Sequence, residues 1–402
     1  MLFKGTRTLS GPPVAVGRDE GDSDIFIELS TGGVEARFVQ PANELSLIKQ
    51  SDSLLIMGLG SATTGNLQLR LFEDDQLIEQ TSNDTIAYVF KPSDNQEQVV
   101  FSLIADNGQG LSDTTTTMVV VRPDELSSTP RPAQTQDGIQ YLSDSSVLVS
   151  LFAPYKDFVY VLGDFNDWTP SADYLMRKDT HGTDSTWFWL EIDGLTPGQE
   201  YAFQYLVDGD LRVADPYSEL TLHPDDDPYI PSNVYPDIPA YPYGKTSFSV
   251  GVLQPGAEQY NWNSTNYERP ETKDLIIYEL LLRDFLEDHS YQTLIDTLDY
   301  LDLLGVTAIE LMPVIEFEGN LSWGYNPAFH LALDKYYGTQ NTFKAFVDAA
   351  HSRGIAVILD VVLNHAFGRS PIIRLWNEGD YGATGSIATA DGVDSEAAVV
   401  TK

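Results

Sequence analysis

Apolar positions change their spacing twice along the chain. From about residue 23 to 123 they come in short runs or alternate with polar ones: Leu67–Phe72, Ile86–Phe90, Val99–Ile104 and Met118–Val121, with turn-forming clusters such as Ala105–Gly110 between some of them. Short strands with turns at this spacing predict a β-sandwich of immunoglobulin type. A second β-rich stretch, 138–245, has its strands at Val147–Phe152, Phe158–Leu162, Trp187–Leu190 and Tyr201–Val207. Residues 124–137 read as a Pro-rich linker between the two. Residues 246–273, rich in Pro, Tyr and Asn, read as a connector, and residues 1–22 as a loose tail.

At Asp274 the period switches. Leu275–Leu282, apolar except for Glu279, reads as a buried strand. Over 291–304 the apolar residues Leu294, Ile295, Leu298, Leu301 and Leu304 fall near one helical face, with Ser290 as N-cap and Gly305 as stop. Val306–Met312 is a second strand, 342–353 a second helix ended by Gly354, and Ile355–Val362 a third strand. Strands this apolar, alternating with helices, predict a parallel sheet covered by helices. Residues 366–402 are mostly small and polar and carry no further strand–helix repeat.

Composition narrows the partners. With 23 basic and 60 acidic residues, the net charge is −37. Nucleic acid and anionic membrane surfaces are excluded as partners on charge, whereas a neutral polysaccharide feels no repulsion. The acidity also serves solubility. With no cysteine there is neither disulfide nor thiolate chemistry. No apolar run reaches the 18 residues of a spanning helix. The N-terminal twenty residues lack the apolar stretch of a signal peptide. The expected location is cytoplasmic, or extracellular or periplasmic if a leader has been lost.

Three ordered groups of residues carry a family resemblance. Gly163–Trp168, followed by Asp193–Gly198, Leu206–Gly209 and Asp215–Tyr217, resembles a carbohydrate-binding module of family 48, an early-set β-sandwich. Gly305–Val314, with Trp323–Pro327 and Tyr336–Thr339, resembles the second strand and following loop of the (β/α)8 barrel of glycoside hydrolase family 13, the α-amylase family. Asp360–His365 is similar to that family's first signature region, at the end of the third barrel strand. The resemblance implies two β-sandwich domains followed by about three strands of a barrel over 274–402. It also implies a retaining action on α-glucans such as starch, glycogen or maltooligosaccharides. A branching enzyme or other transglycosylase, and a non-catalytic glucan-binding protein, are the alternatives.

The same resemblance assigns roles. Asp360 would orient an arginine, Asn364 would give an amide oxygen to a structural calcium, and His365 would hydrogen-bond a sugar hydroxyl. Tyr325 would stack on the sugar. Trp168 is the candidate for glycan contact in the middle module, although Asp210-Leu-Arg212 stands where a second tryptophan usually follows. No organic cofactor is implied. Strand alternation places Asp360, Val362 and Asn364 on one face, at the C-terminal end where barrel enzymes carry their sites. Each polar residue there could instead simply satisfy backbone groups.

Glu316, Glu318 and Asp334 are the carboxylates to weigh as a catalytic pair, which in a retaining glycosidase stands roughly 5–5.5 Å apart. Nothing marks them as one, and a solvated loop is the expectation. Glu378–Gly385 is glycine-rich but lacks the lysine of a phosphate loop. A whole barrel takes about 250 residues. The family's three catalytic carboxylates follow strands four, five and seven, and none is found here. The chain alone is therefore expected to be inactive, with uncovered sheet edges and a loosely held C-terminal third.

Overall fold

The computed structural model describes residues 33–182 and 184–376, together with the backbone of the strands Val14–Arg18 and Asp24–Ile27. The glycine-rich stretch Glu378–Gly385 lies outside the described residues. Two compact units divide at Glu125/Leu126.

In the first unit the alternating runs form two sheets. One is antiparallel, in the order Val34–Gln40, Leu54–Ala62, Thr85–Phe90. The other runs Leu45–Lys49, Ser112–Arg122, Gln98–Asp106, Gln68–Glu73, Gln76–Thr81, with its first pair parallel. Ile56 and Phe90 of the one and Leu69, Phe101 and Leu103 of the other share a single core. Gln98–Asp106 and the first half of Gln68–Glu73 bury every second residue, which is why the sequence alternates there. Gly58 and Gly60 let the sheets approach: a Cβ at either would collide with the side chain of Leu103 or Leu69.

The second unit begins with another two-sheet packing. One sheet has the order Gly138–Ser143, Ser146–Phe152, Thr186–Ile192, Arg177–Thr180. The other is built on Val159–Gly163, Tyr201–Val207, Val250–Leu253 and Thr221–Leu222. Val149, Leu151, Val161, Phe188, Phe203 and Tyr205 meet between them. Two expectations are corrected here. Val250–Leu253, expected in the connector, is a fully buried strand of this sheet. The expected linker is pinned along the edge strand Arg177–Thr180 of the other sheet: Thr129 N–H donates to Lys178 O, Trp189 Nε1 to Thr129 O, and Arg131 N–H to Asp179.

The α/β segment follows. Ile277–Leu280, Ala308–Leu311 and Ala356–Leu359 pair in parallel, in that order. The helices Tyr291–Leu303 and Gln340–Ser352 pack together, and Leu294, Leu298, Leu301, Phe346 and Ala350 share a core with Ile309 and Leu311 of the sheet. The expected caps are present. Ser290 Oγ accepts from Thr293 N–H, and Gly305 and Gly354 stand at φ +78° and +75°, where a Cβ would be strained. All three strands are shorter than their apolar runs. The third ends at Leu359, so Asp360, Val362 and Asn364 do not share a strand face: Val362 is buried and Asn364 exposed. The long loop after the second strand contains an antiparallel pair, Ile315–Phe317 with Pro327–Leu333. Pro371–Trp376 forms a short helix in the stretch expected to lack one.

The connector is held by one residue. Asp348, buried on the second helix, accepts from the backbone N–H of Asn263 (2.9 Å) and Ser264 (2.7 Å), from Asn263 Nδ2 (2.9 Å), Tyr260 OH (3.2 Å) and Ser264 Oγ. Burial pushes against its ionisation, but these donors outweigh it and hold the carboxyl well below its ordinary value. The outer strands of the parallel sheet are edges, and Leu303, Val361 and Leu363 are exposed.

Candidate functional site

Three of the five residues singled out from the sequence come together at the C-terminal end of the parallel sheet. Tyr325 O–H donates to Asp360 Oδ2 at 2.5 Å. His365 Nε2 lies 2.8 Å from the Tyr325 carbonyl oxygen. A carbonyl only accepts, so Nε2 carries the proton in this bond. His330 Nε2 stands 3.2 Å from the His365 carbonyl and supports it from below in the same way. The Tyr325 ring is 38% exposed, and its neighbour Trp323 57%. Exposed rings of this kind offer an apolar face with a polar rim.

Two carboxylates that the sequence reading passed over belong to the same place. The register sets Glu279 of the first strand beside Glu310 of the second. Neighbouring strands lie about 4.8 Å apart, so both side chains leave one face of the sheet together. The hydrogen bond to Asp360 pushes the Tyr325 phenol up to about 12, with burial and the negative charges of Asp360, Glu279 and Glu310 acting in the same direction. Tyr325 therefore stays a neutral donor at any physiological pH. The alternation Ile277-Tyr-Glu-Leu280 beside Ala308-Ile-Glu-Leu311, a glutamate at the third position of each run, was the available signal.

The other two residues are not part of this cluster. Trp168, expected to contact glycan, is buried at 6% exposure, and its Nε1 donates to Asp164 Oδ1 at 3.0 Å. An indole enclosed by its own module has no face left for a sugar, so this expectation is corrected. Asn364 is exposed and offers one amide oxygen, while calcium takes six to eight oxygens. Among the described residues there is no group of three or more His, Cys, Asp or Glu placed to hold a metal.

Of the three carboxylates expected on a solvated loop, Glu316 and Asp334 are buried in an ionic cluster, and Glu318, half-buried, accepts from Arg369 N–H at 2.6 Å. Lys335 Nζ, at 2% exposure, pairs with Glu316 and lies 3.4 Å from Asp227 Oδ1. Asp334 accepts from Tyr336 N–H at 2.9 Å and Phe317 N–H at 3.3 Å. One lysine faces three acids. Burial pushes Glu316, Asp227 and Asp334 above the ordinary carboxylate value, and the acids hold Lys335 above its own despite burial. Glu316 Oε2 has no hydrogen-bond partner, which gives an extra proton a seat. These groups stabilise a fold; they are not a pair flanking a cleft.

The aromatic donor and the carboxylates lie at the C-terminal edge of the parallel sheet, the edge at which β/α-barrel proteins carry their sites. Residues 287–370 match the family model described as alpha amylase, catalytic domain. This segment is similar to the catalytic domain of the α-amylase family. The chain is 32% identical over 224 residues to a malto-oligosyltrehalose trehalohydrolase of Saccharolobus solfataricus, covering 56% of this chain and 34% of that one. It is 30% identical over 230 residues to the 1,4-alpha-glucan branching enzyme GlgB of Pseudoalteromonas atlantica, covering 54% and 29%. Among solved structures, the pullulanase SAP of Group B Streptococcus in complex with maltotetraose aligns at 20% identity and TM-score 0.45, over 80% of this chain and 45% of that one. The chain spans about a third of the length of the first of these curated relatives.

Proposed function

We propose that this chain supplies the front part of an α-amylase-type glycoside hydrolase acting on α-glucans, and that its own share of the work is to hold sugar. In this reading the two β-rich modules are an immunoglobulin-like sandwich and a family 48-type module, and the parallel sheet is the first three strands of a (β/α)8 barrel. The observation that supports it most is the Tyr325–Asp360–His365 cluster at the strand ends. Asp360 fixes the phenol and the histidine fixes the backbone of Tyr325, so the ring is oriented before any ligand arrives. A ring so placed can cover the C–H face of a pyranose. Nδ1 of His365 is the nitrogen left to meet a hydroxyl. Cleavage with retention needs a nucleophilic carboxylate and an acid/base carboxyl, and neither role is assigned to a residue of this chain.

A second reading, glucan branching, is favoured by the match to branching enzymes. It uses the same sugar-facing ring and separates from hydrolysis only in where the glucan is delivered. Electrophoresis of the full chain through gels with and without soluble starch tests the shared part. Starch is expected to retard the wild-type chain, Tyr325→Ala to abolish the retardation, and Trp168→Phe to leave it unchanged. Equal mobility of wild type and Tyr325→Ala in starch would refute the assignment.

A further inference from the structure

The ring at Tyr325 rests on a loop, yet the groups that fix this loop from behind come from a different module. Asp226 lies in the β-rich module, 143 positions before Arg369. Its carboxylate pairs with the Arg369 guanidinium and accepts from Gly319 N–H at 3.3 Å, and its carbonyl accepts from Asn320 Nδ2 at 2.8 Å. Arg369 N–H in turn donates to Glu318 Oε1 at 2.6 Å, and Arg369 Nη1 lies 3.3 Å from His223 Nδ1. The neighbouring Asp227 reaches Lys335, which holds Glu316.

These contacts grip both arms of the site. Gly319 and Asn320 open the loop that carries Tyr325. Its far end is tied back by Asn326 Nδ2, which donates to Glu318 O at 3.0 Å, and by Phe367 N–H, which donates to Pro327 O at 2.9 Å. Arg369 stands four residues beyond His365, so the same carboxylate restrains the second arm. The Asp226–Arg369 pair is mostly shielded from solvent, at 16% and 22% side-chain exposure. A charge-assisted bond at such a site is short and directional rather than a loose surface pair.

We infer that Asp226 is a positioning residue for Tyr325 and His365: the turn at 223–229 of the β-rich module is a bracket that sets the orientation of the sugar-facing ring. The module thereby acts on the site without touching ligand. The inference rests on the reading of Tyr325 as the sugar platform, but the bracket is measurable without sugar.

The test uses the full chain with 3-fluorotyrosine incorporated in place of Tyr325 and read by fluorine NMR. Asp360→Asn provides the resonance position of a ring that has lost its carboxylate partner. Asp226→Asn and the milder Asn320→Ala, which removes one neutral hydrogen bond, are expected to move the resonance toward that position, Asp226→Asn by the larger amount. Ser290→Ala, which weakens a helix cap elsewhere, is expected to lower the melting temperature and leave the resonance in place. If Asp226→Asn and Asn320→Ala melt lower but keep the wild-type resonance, the bracket is only structural and the inference falls. If Asp226→Asn does not fold, Asn320→Ala decides alone on the same criterion. Maltoheptaose added to the wild-type chain tests the other reading separately: no response there sinks the sugar platform and leaves the bracket standing.

Discussion

Replacing Lys335 by methionine tests the buried ionic cluster and gives its pH dependence a definite sign. Lys335 is the one cation paired with Glu316 and lies 3.4 Å from Asp227, with Asp334 next to it in sequence and all four buried. Methionine fills similar space, so little cavity is made and the loss is electrostatic. Removing one partner of a buried pair costs roughly 3–5 kcal/mol, because the charge left behind has neither water nor partner. The acids have an escape that a lysine left alone would lack. Burial already pushes Glu316, Asp227 and Asp334 above their ordinary values, and without the lysine they rise further. A raised carboxyl stabilises the fold fully below its unfolded pKa, and that contribution is lost as pH rises through the folded value. The variant is therefore expected to lose about 3–5 kcal/mol at pH 7.5 and clearly less at pH 5. Scanning calorimetry of both proteins at the two pH values, following the transition that contains the second unit, measures this. A loss below about 1 kcal/mol at pH 7.5, or a loss that grows toward pH 5, would refute the account of the cluster.

Four further outcomes follow from single contacts. Asp348→Ala strips the five acceptor bonds that hold the connector and is expected to cost about 2–4 kcal/mol. Limited proteolysis should then cut near Asn263, while uncut protein would argue that the connector is held by packing alone. Asp215 is fully buried against Tyr205 O–H (2.6 Å), and burial raises it from 3.8 to about 6. Its contribution is complete below pH 4 and lost as pH rises through 6, about 3 kcal/mol at roughly 1.4 kcal/mol per pKa unit. Thermal melts of Asp215→Asn across pH 4 to 6.5 should lack that part of the wild-type slope. Ser290→Ala removes the cap of the helix Tyr291–Leu303 and is expected to cost about 1 kcal/mol in urea unfolding. Trp168→Ala is expected to destabilise the middle module by about 3–5 kcal/mol; an unchanged melting temperature would mean that the indole is not a core residue.

Strand and helix positions were legible because burial writes a period into the sequence. Tyr201–Val207 was placed to the residue, and Ser290 and Gly305 marked the helix ends, because the cap and the left-handed residue are local requirements. The errors cluster where tertiary contacts set the structure. Val250-Gly-Val-Leu253 is too short and too close to prolines to stand out as a strand, and its partners Tyr201–Phe203 and Thr221–Leu222 make it one. The run Ile355–Val362 is apolar beyond the strand because Val362 is buried by the loops that follow, so hydrophobicity overstated the strand by several residues.

The site shows the same division. Tyr325, Asp360 and His365 could be singled out because each sits in a recognisable motif, and the structure shows that Tyr325 contacts both of the others. Trp168 was misplaced for the opposite reason: a motif records that an indole is needed without recording whether it faces water, and here the hydrogen bond to Asp164 and the enclosing module settle its direction. Glu316 and Glu318 read as loop acids because their partners Lys335 and Arg369 lie 19 and 51 positions away. Asp226 and Arg369, 143 positions apart, carry no local pattern at all. Periodicity reports which side of an element is buried, and motifs report which residue types a site requires. The pairing of charges across modules follows from neither. Asp360, legible in the sequence, holds the phenol directly, whereas the contacts of Asp226 with Gly319, Asn320 and Arg369, which tie the loop to the β-rich module, are what the sequence conceals.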